Sequence, residues 1–347
     1  QLIKTLIEDV TKTLKEPAAL FCASDISVLT ISKYADHLSP FFKFVLPSYE
    51  MTSSQISKKG FYQFARDNSF LVPKSFFYSR HGEFEQIIEN ISFPCIIKPE
   101  YRDQHWSARV PFKVLYAESK ADFNNLIRKY DIQHTSLVIQ EWIEGEDSEV
   151  YFCLVYMNRH IKPLALCMGR KLRQYPHLTG STSVAETIWI PEIANESLRL
   201  LTAAGYRGFC SVEFKKSKTD GKFYITEPTV GRPDTQEGIC IGAGIDIPYI
   251  AYLDAIGEDV SSVTDFKIGI KWINEPNEFY SIQKTLQNGF NIRSFLSIYK
   301  GNRTYALWNR NDPKPAFTFI NEKIVKGISK LYKPLFRKIS LHSNNKN

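Results

Sequence analysis

The sequence predicts an α+β fold built on antiparallel sheets and preceded by part of a smaller parallel α/β domain. Two observations predict it. In residues 1–50, apolar helix-like and strand-like segments alternate, as they do in parallel α/β units. From Phe93 onward, most apolar segments are strand-like and only two helices interrupt them, which is typical of antiparallel sheets. A chain of 347 residues is long enough for more than one such domain.

The first part of the chain is predicted from its apolar spacing and its capping residues. Helices are predicted over Leu2–Leu14, after Ser24-Asp25, over Ser53–Asn68 and over Glu83–Asn90; buried strands over Ala18–Ala23 and Phe41–Leu46; and an extended segment from Val72-Pro73. Because the chain begins at Gln1 without an initiator Met or a signal-peptide pattern, we expect that N-terminal sequence is missing.

The second part is predicted to contain most of the strands. They cover Phe93–Lys98, Val110–Ala117, Ser136–Ile143, Glu149–Met157, Ile161–Arg170, Phe209–Lys216 and Phe223–Pro228, with helices over Ala121–Tyr130 and Pro191–Ala204. Beyond about Ser261 the sequence reads as helix and loop. It ends in a basic, apolar-spaced stretch, Lys323–Lys338, and a polar tail, Ser343–Asn347, that we expect to be disordered.

Composition excludes several classes of protein. The longest apolar stretches are strand-sized, well short of the roughly 20 residues that cross a bilayer. Six cysteines without a CxxC spacing favour a reducing cytoplasm over a disulfide scaffold or a zinc site. The excess of positive charge, 44 − 37 = 7, is compatible with anionic ligands such as nucleotide phosphates, and no nucleic acid is expected from it.

The most informative segment is a predicted hairpin, Cys210–Pro228, with an Asp-Gly turn signal at its centre. If Thr219–Gly221 is a three-residue loop, Glu213 lies opposite Glu227. Directly opposed side chains have β-carbons about 4.5 to 5.5 Å apart, so two carboxylates repel each other unless a cation or a proton compensates. Mg²⁺ prefers such oxygen ligands, and water and phosphate fill its remaining positions.

A second register of the same hairpin stays open. A two-residue loop at Asp220-Gly221 shifts the pairing by one residue and places Phe214 opposite Glu227. Both glutamates are then ordinary solvated side chains.

With this hairpin, residues from about 50 to 257 resemble the ATP-grasp superfamily, specifically its carboxylate-amine ligases, the branch with carbamoyl-phosphate-synthetase-like and D-aspartate-ligase-like proteins. The resemblance implies an ATP-grasp fold, two α+β lobes clasping ATP, after a partial Rossmann-like pre-ATP-grasp domain. It divides the chain into residues 1–50, the partial domain; 51–144, the N-terminal lobe with a linker helix; 145–260, the C-terminal lobe; and 261–347, a helical extension with a basic tail.

The resemblance also implies a set of site residues. Those expected at the nucleotide are Lys58 in the entry helix, Lys98 in Ile96-Ile97-Lys98-Pro99, Glu141, Trp142 and Ile143 at the adenine hinge, Glu149 at the ribose, and Arg170 at the phosphates. Those expected in catalysis are Lys171, Arg173 and Arg232, and the expected metal ligands are Glu213, Glu227 and Thr229.

Two features depart from the family pattern. Thr229 occupies the position where the family usually has an Asn ligand, and Arg232 comes one residue later than usual. The loop Glu100–Arg109 lacks the glycines of the family's flap over the phosphates, so a close approach of backbone to phosphate is harder. Its side chains would then supply donors, bind the acceptor, or form an ordinary polar loop over Trp106.

The activity implied is an ATP-dependent ligase that joins a small-molecule carboxylate to an amine through an acyl phosphate, with ATP and Mg²⁺ (or Mn²⁺) as cofactors. One alternative is an ATP-binding sensor without catalysis, which Thr229 and the glycine-poor loop favour. Another is a basic module for a membrane surface or nucleic acid, resting on Lys323–Lys338, although Pro334 interrupts that helix. The basic C-terminus leaves peripheral membrane contact open, and the sequence gives neither the substrates nor the oligomeric state.

Overall fold

The computed structural model describes residues 2–79, 84–101, 104–287 and 298–323. The polar tail and all but the first residue of the basic stretch Lys323–Lys338 lie outside the described residues. Among the described residues, no single helix has the length and apolar character of a membrane span. One pair of helices, Glu237–Ala243 and Ile247–Ile256, meets those criteria jointly, but the two are bent by 96° relative to each other.

The N-terminal segment is the small parallel α/β unit that the sequence predicts. Helix α1 (Leu2–Thr5) continues through a π-helical turn (Leu6–Val10) and a 3₁₀ turn (Thr11–Thr13). Strands β1 (Ala18–Ala19) and β2 (Phe42–Lys43) pair in parallel, and α2 (Asp25–Lys33) and α3 (Ala35–Leu38) lie between them in the chain. Both strands are much shorter than predicted. The Ser24 hydroxyl caps α2 by accepting from the Ser27 amide at 3.2 Å.

A pair of helices leads into the first large sheet. The sequence predicts one helix over Ser53–Asn68, whereas the structure has α4 (Tyr49–Ile56) and α5 (Lys58–Asp67). The break falls at Ser57, whose extended backbone and side chain cap α5 by accepting from the Gly60 amide at 3.2 Å.

The first sheet is four-stranded and antiparallel, in the order β3-β6-β4-β5. Its elements are β3 (Ser75–Tyr78), α6 (Glu85–Asn90), β4 (Cys95–Pro99), α7 (Gln104–Arg109), β5 (Leu115–Ala117), α8 (Lys120–Tyr130) and β6 (Leu137–Glu141). The predicted strand Val110–Ala117 is shortened, because the Val110 amide closes α7 by donating to the Trp106 carbonyl.

The second sheet is seven-stranded, in the order β11-β10-β7-β8-β9-β12-β13, and only the β12–β13 pair is parallel. Its elements are β7 (Val150–Met157) after a 3₁₀ turn (Asp147–Glu149), β8 (Pro163–Tyr175), β9 (Ser181–Thr187), α9 (Pro191–Ala203), β10 (Gly208–Lys216), β11 (Phe223–Val230), α10 (Glu237–Ala243), α11 (Ile247–Ile256), β12 (Lys271–Ile273), α12 (Glu275–Gln287), β13 (Arg303–Tyr305) and α13 (residues 314–323). Strand β9 is absent from the prediction, and β12 and β13 extend this sheet beyond residue 260.

Strand β7 explains why this lobe holds two cores. All eight of its residues are buried, which is typical of a strand covered on both faces. Cys153 and Val155 pack into one cluster with α9, whereas Leu154 and Tyr156 pack into another with α10 and α11.

Candidate active site

A cavity of about 370 Å³ lies between the two sheets. Strands β4 and β6 and the segment that follows β6 form one wall, and strands β8, β10 and β11 form the other. The polar side chains that line it are Lys58, Lys98, Lys113, Gln140, Glu141, Lys171, Gln174, Thr179, Ser181, Thr182, Ser211, Glu213, Lys215, Thr226, Glu227, Thr229, Arg232, Asp234, Thr235 and Gln236. Five of these side chains are lysines, so the cavity is rich in positive charge.

The predicted pair of facing glutamates is present, because Glu213 pairs with Glu227 in the register of β10 and β11. Ser211 and Thr229 are the next pair on the same face, since side chains alternate along a strand. All four side chains line the cavity. The alternative register, with Phe214 opposite Glu227, does not occur.

The predicted length of the loop that produces this register is wrong. Ser217 rather than Lys218 lies opposite Lys222, and its amide donates to the Lys222 carbonyl at 2.9 Å, so the turn holds one more residue than predicted. An irregularity between Glu213 and Phe214 then leaves Thr226 as an extra residue on β11, and this bulge restores the predicted pairing. Gly221 does have the predicted left-handed backbone, with φ +71°.

The two glutamates have different surroundings. Glu213 Oε2 lies 2.7 Å from Lys171 Nζ. In the part of the chain that the structure describes, the Glu227 carboxylate makes no hydrogen bond and no ion pair. Desolvation beside the cavity wall acts to raise the pKa of Glu227, whose side chain is still exposed, but the positive charges of Lys113, Lys98 and other lysines outweigh it and lower that pKa. Glu227 is therefore an ionised carboxylate with no direct partner.

Lys98 is buried at the end of β4. Its ammonium donates to Tyr62 Oη at 3.3 Å and to Gln140 Oε1 at 3.2 Å. Burial acts to lower the pKa of Lys98, but Tyr62, Glu227 and Glu213 outweigh burial and raise it. Lys98 is thus held as a cation that points along the wall of the cavity.

Lys58 lies at the start of α5 and lines the cavity. Its ammonium donates to the Glu100 carbonyl at 3.1 Å. Burial and the neighbouring charge of Lys98 lower the pKa of Lys58. An anion between the two lysines would relieve that repulsion.

The predicted hinge residues Glu141, Trp142 and Ile143 all line the cavity. The Glu141 carboxylate accepts from the Lys74 amide at 3.0 Å, so it fixes the strand end. The ring of Trp142 lies under Lys215, with the ammonium 5.6 Å from the ring centroid. Glu149, predicted at the ribose, is not among the described residues that line the cavity.

Of the three cationic side chains predicted on β8, only one is found at the cavity among the described residues. Lys171 lines the cavity, whereas Arg170 and Arg173 are not among its described lining residues. Arg170 Nη2 lies 2.6 Å from Glu186 Oε1, and Arg173 forms an ion pair with Glu278. Successive side chains of a strand point to opposite faces of the sheet, so Arg170 points away from the face that carries Lys171. Two irregularities in the β8–β9 register, between Lys171 and Gln174, change the direction of the Arg173 side chain.

Thr229 and Arg232 both reach the cavity. Arg232 Nε donates to Asp25 Oδ1 at 2.6 Å, which ties the end of β11 to the N-terminal segment. In the described ranges, no group of three or more His, Cys, Asp or Glu side chains has the arrangement of a metal site. The predicted metal ligands Glu213, Glu227 and Thr229 would provide a cation with two carboxylates and one hydroxyl.

Two buried charged residues, one in the cavity wall and one that holds a lining segment, are absent from the sequence-based prediction. Lys215 is buried in the cavity wall, where its ammonium donates to the carbonyls of Gly145 and Glu146 at 2.6 and 2.8 Å. Burial lowers the pKa of Lys215 to about 8. Asp147 is buried as well, and it accepts from the amides of Gln174 and Leu178 at 2.9 and 2.8 Å.

Asp147 thereby fixes the segment between β8 and β9, much of which lines the cavity. In the sequence, Asp147 stands in the run Glu146-Asp147, two residues before Glu149, the acid predicted at the ribose. Nothing in the local pattern distinguishes these acids, because the amides that bind Asp147 come from roughly 30 residues further along the chain.

Two α+β lobes that face each other across a polar cleft define the ATP-grasp fold, and similarity to solved structures supports this assignment. The biotin carboxylase–β-γ-ATP complex of Campylobacter jejuni has a TM-score of 0.61 and 16% identity over 76% of this chain and 60% of that one. The D-alanine–D-alanine ligase of Bacillus anthracis complexed with ATP has a TM-score of 0.52 and 14% identity over 74% of this chain and 80% of that one. The chain has the ATP-grasp fold.

No family model matches the sequence. Among curated proteins, the D-aspartate ligase of Enterococcus faecium (strain Aus0004) is 24% identical over 212 residues, which make up 57% of this chain and 49% of that protein. The chain thus spans about half the length of the curated relative it matches.

Proposed function

We propose that this chain is an ATP-dependent ligase that activates a carboxylate as an acyl phosphate and joins it to an amine, releasing ADP and phosphate. The observation that carries the proposal is the facing pair Glu213 and Glu227 in one cavity with Lys98 and Lys171. The fold, and the ligase name of the curated relative, support the same reading. In this proposal residues 51–144 and 145–260 are the two lobes, and residues 1–50 are part of a preceding domain.

ATP would lie between the lobes, with adenine at Glu141–Ile143 and the phosphates toward the lysines. Lys98 and Lys171 are the proposed phosphate ligands, because both reach the cavity beside the glutamate pair. Lys58 and Lys113 add positive charge at the same end. We do not assign Arg170, Arg173 or Glu149 to the nucleotide, since none of them is among the described residues that line the cavity.

Glu213 and Glu227 would hold Mg²⁺ or Mn²⁺, with Thr229 and Ser211 beside them. The donor set fits, because two carboxylates suffice when phosphate and water complete the coordination, and because Glu227 is ionised without a direct partner. When bound, the ion would neutralise charge on the phosphoryl oxygens during transfer. Lys171, now paired with Glu213, would then be released toward the phosphates.

The proposed reaction has two steps. A carboxylate oxygen of the substrate attacks the γ-phosphorus, the bond to the bridging β–γ oxygen breaks, and ADP leaves with that electron pair. A neutral amine then attacks the acyl carbon, phosphate leaves, and the amine loses one proton to form the amide. Lys98 and Lys171 stabilise the transferring phosphoryl group, and Arg232 stabilises the tetrahedral oxyanion.

A cytoplasmic location is also proposed. The six cysteines are free and buried, and free thiols persist in reducing compartments. The amine and carboxylate substrates would then be small cytoplasmic metabolites.

The test is ADP release by the purified protein with Mg-ATP across a panel of carboxylates and amines. Glu227→Gln removes the negative charge at nearly constant shape, and we expect it to lower release by about a hundredfold or more, as loss of an electrostatic catalytic group does. The matched control is Glu192→Gln, an exposed change on α9 that should leave release unchanged.

Release that depends on both substrates and is lost in Glu227→Gln would support the ligase. ATP binding without turnover, equally tight in wild type and Glu227→Gln, would contradict it and favour an ATP sensor instead.

A further inference from the structure

An apolar face is exposed on helix α13 and on the segment that precedes it. Its residues are Trp308, Phe317 and Ile320, which are 46%, 54% and 48% exposed. Phe317 and Ile320 lie three residues apart on one side of the helix, and the ring centroid of Trp308 is 6.1 Å from that of Phe317. Adjacent large apolar side chains that remain exposed mark a surface for interaction, whereas isolated ones are common on any protein.

The opposite side of α13 packs against the body of the protein. Ala316 is buried, and the ring of Phe319 lies edge-on to that of Phe279 in α12, with 6.2 Å between the centroids. The Lys323 ammonium lies 4.7 Å from the ring centroid of Tyr280, in the same helix α12. The apolar face therefore points outward from a helix whose inner side is already in contact with α12.

The positive charge of the protein is concentrated in the same part of the chain. Residues 298–347 contain 11 Lys and Arg against 2 Asp and Glu, a net charge of 11 − 2 = +9. The other 297 residues are left with 44 − 11 = 33 Lys and Arg against 37 − 2 = 35 Asp and Glu, so their net charge is slightly negative. The stretch Lys323–Lys338, which begins at the last residue of α13, has six basic residues and no acidic one.

An anionic membrane surface fits both observations. Exposed aromatic and aliphatic side chains bind at the boundary between lipid headgroups and acyl chains, and each Lys or Arg close to anionic headgroups strengthens binding about fivefold. A nucleic acid would account for the charge but not for the exposed Phe317 and Ile320. A protein partner would account for the apolar face without requiring a net charge of +9 beside it.

We propose that the apolar face binds the surface of an anionic lipid membrane. Trp308, Phe317 and Ile320 enter the boundary between headgroups and acyl chains, and the basic residues of the segment 298–347 lie at the headgroup phosphates. The protein then lies on the membrane, since the described residues contain no single helix that could span it. This inference does not rest on the proposed ligase function.

The test is flotation of the full chain with lipid vesicles. One set contains phosphatidylcholine alone, and the other contains about three parts phosphatidylcholine to one part phosphatidylglycerol, which is anionic. We expect binding to the anionic vesicles only, and we expect it to weaken as the salt concentration rises. The double variant Phe317→Gln, Ile320→Gln should weaken this binding about tenfold or more, because it removes apolar area that lipid would cover. The matched control is Ile26→Gln, Phe41→Gln, two exposed apolar residues of the N-terminal segment, and neither double variant should change the melting temperature appreciably.

The charge is tested separately. Replacement of three lysines of the basic stretch by glutamine, at Lys326, Lys330 and Lys333, should weaken binding to anionic vesicles roughly a hundredfold, at about fivefold for each lysine. The matched control replaces three exposed lysines from the rest of the chain, Lys12, Lys120 and Lys162, by glutamine and should have little effect.

A second readout shows which surface meets the lipid. Lipids that carry bromine in their acyl chains quench the fluorescence of a tryptophan that contacts them. Trp308 and Trp189 are almost equally exposed, at 46% and 44%, but only Trp308 belongs to the apolar face. We expect Trp308→Phe to lose most of the quenching in anionic vesicles and Trp189→Phe to keep it.

Several outcomes would overturn the proposal. Equal binding to neutral and anionic vesicles, or binding that Phe317→Gln, Ile320→Gln leaves unchanged, would contradict it. Binding to a DNA duplex but not to anionic vesicles would replace it with a nucleic-acid partner. A lower melting temperature of this double variant with unchanged vesicle binding would mean that the chain itself covers the apolar face. Anionic-vesicle binding that the two sets of variants weaken and their controls preserve would support it, whether or not the protein releases ADP.

Discussion

Two buried lysines stand on opposite walls of the same cavity and differ in their ionisation. Lys98 on β4 is 7% exposed and Lys215 on β10 is 5% exposed. Burial acts to lower the pKa of both. Nevertheless the pKa of Lys98 is raised, and that of Lys215 falls to about 8.

The difference comes from their neighbours. Lys98 has the Tyr62 hydroxyl beside it and the carboxylates of Glu227 and Glu213 nearby, which together outweigh burial. Lys215 donates to two neutral carbonyl oxygens, and the charge of Lys171 adds repulsion, so burial prevails over the acids around it. Equal burial therefore does not give these two lysines equal charge. On these grounds, Lys98 is a permanent cation of the site, and Lys215 is one that titrates.

The largest expected effect is that of removing the permanent cation. Lys98→Met should lower kcat/KM for ADP release by about a hundredfold or more and weaken ATP binding, because the proposed phosphate ligand is lost. Tyr62 and Gln140 would still bond to each other, so the wall should remain folded. Lys218→Met, an exposed change in the hairpin turn, is the control. Activity near that of wild type in Lys98→Met would remove Lys98 from the phosphate site.

The same two lysines show what local sequence can and cannot predict. Lys98 was found because Ile96-Ile97-Lys98-Pro99 is a short pattern that stays within one strand. Lys215 was missed because, in a predicted hairpin, it resembles an ordinary solvated charge. Its burial depends on the carbonyls of Gly145 and Glu146, about 70 residues earlier in the chain.

The hairpin itself was predicted correctly for an incomplete reason. The facing of Glu213 and Glu227 was derived from a three-residue loop, whereas a longer turn and a bulge at Thr226 produce it. Strand β9 was missed because Ser181–Thr187 is largely polar, and its strand structure is imposed by pairing with β8 and β12. Turn signals and apolar patterns are local, whereas bulges and edge pairings depend on partners that local patterns do not show.

An intermediate effect is expected from the lysine that titrates. At pH 8 about half of the Lys215 side chains are neutral, because the pKa is about 8. A bound triphosphate favours the charged form and raises this pKa, so ATP binding should take up a proton. The uptake should be less than one proton per ATP, greatest between pH 8 and 9, and small below pH 7, where Lys215 is already charged.

Calorimetry of ATP binding in buffers with different ionisation enthalpies measures this uptake. Lys215→Met should reduce it near pH 8, and Lys216→Met is the control, since Lys216 is the adjacent lysine and is not among the described residues that line the cavity. If Lys215→Met binds ATP with the same proton uptake as wild type, another group titrates and the contrast between the two lysines fails.

The smallest effect is expected at Arg170, next to Lys171 in sequence but directed away from it. Its guanidinium donates to Glu186 Oε1 at 2.8 and 2.6 Å, outside the cavity. Arg170→Met should leave ADP release within about threefold of wild type and cost about 0–1 kcal/mol of unfolding free energy, as a partly exposed ion pair does. Lys171→Met, the matched change inside the cavity, should lower release far more. A tenfold loss in Arg170→Met would mean that Arg170 leaves Glu186 when ATP binds, and that it then takes the place at the phosphates implied by the resemblance.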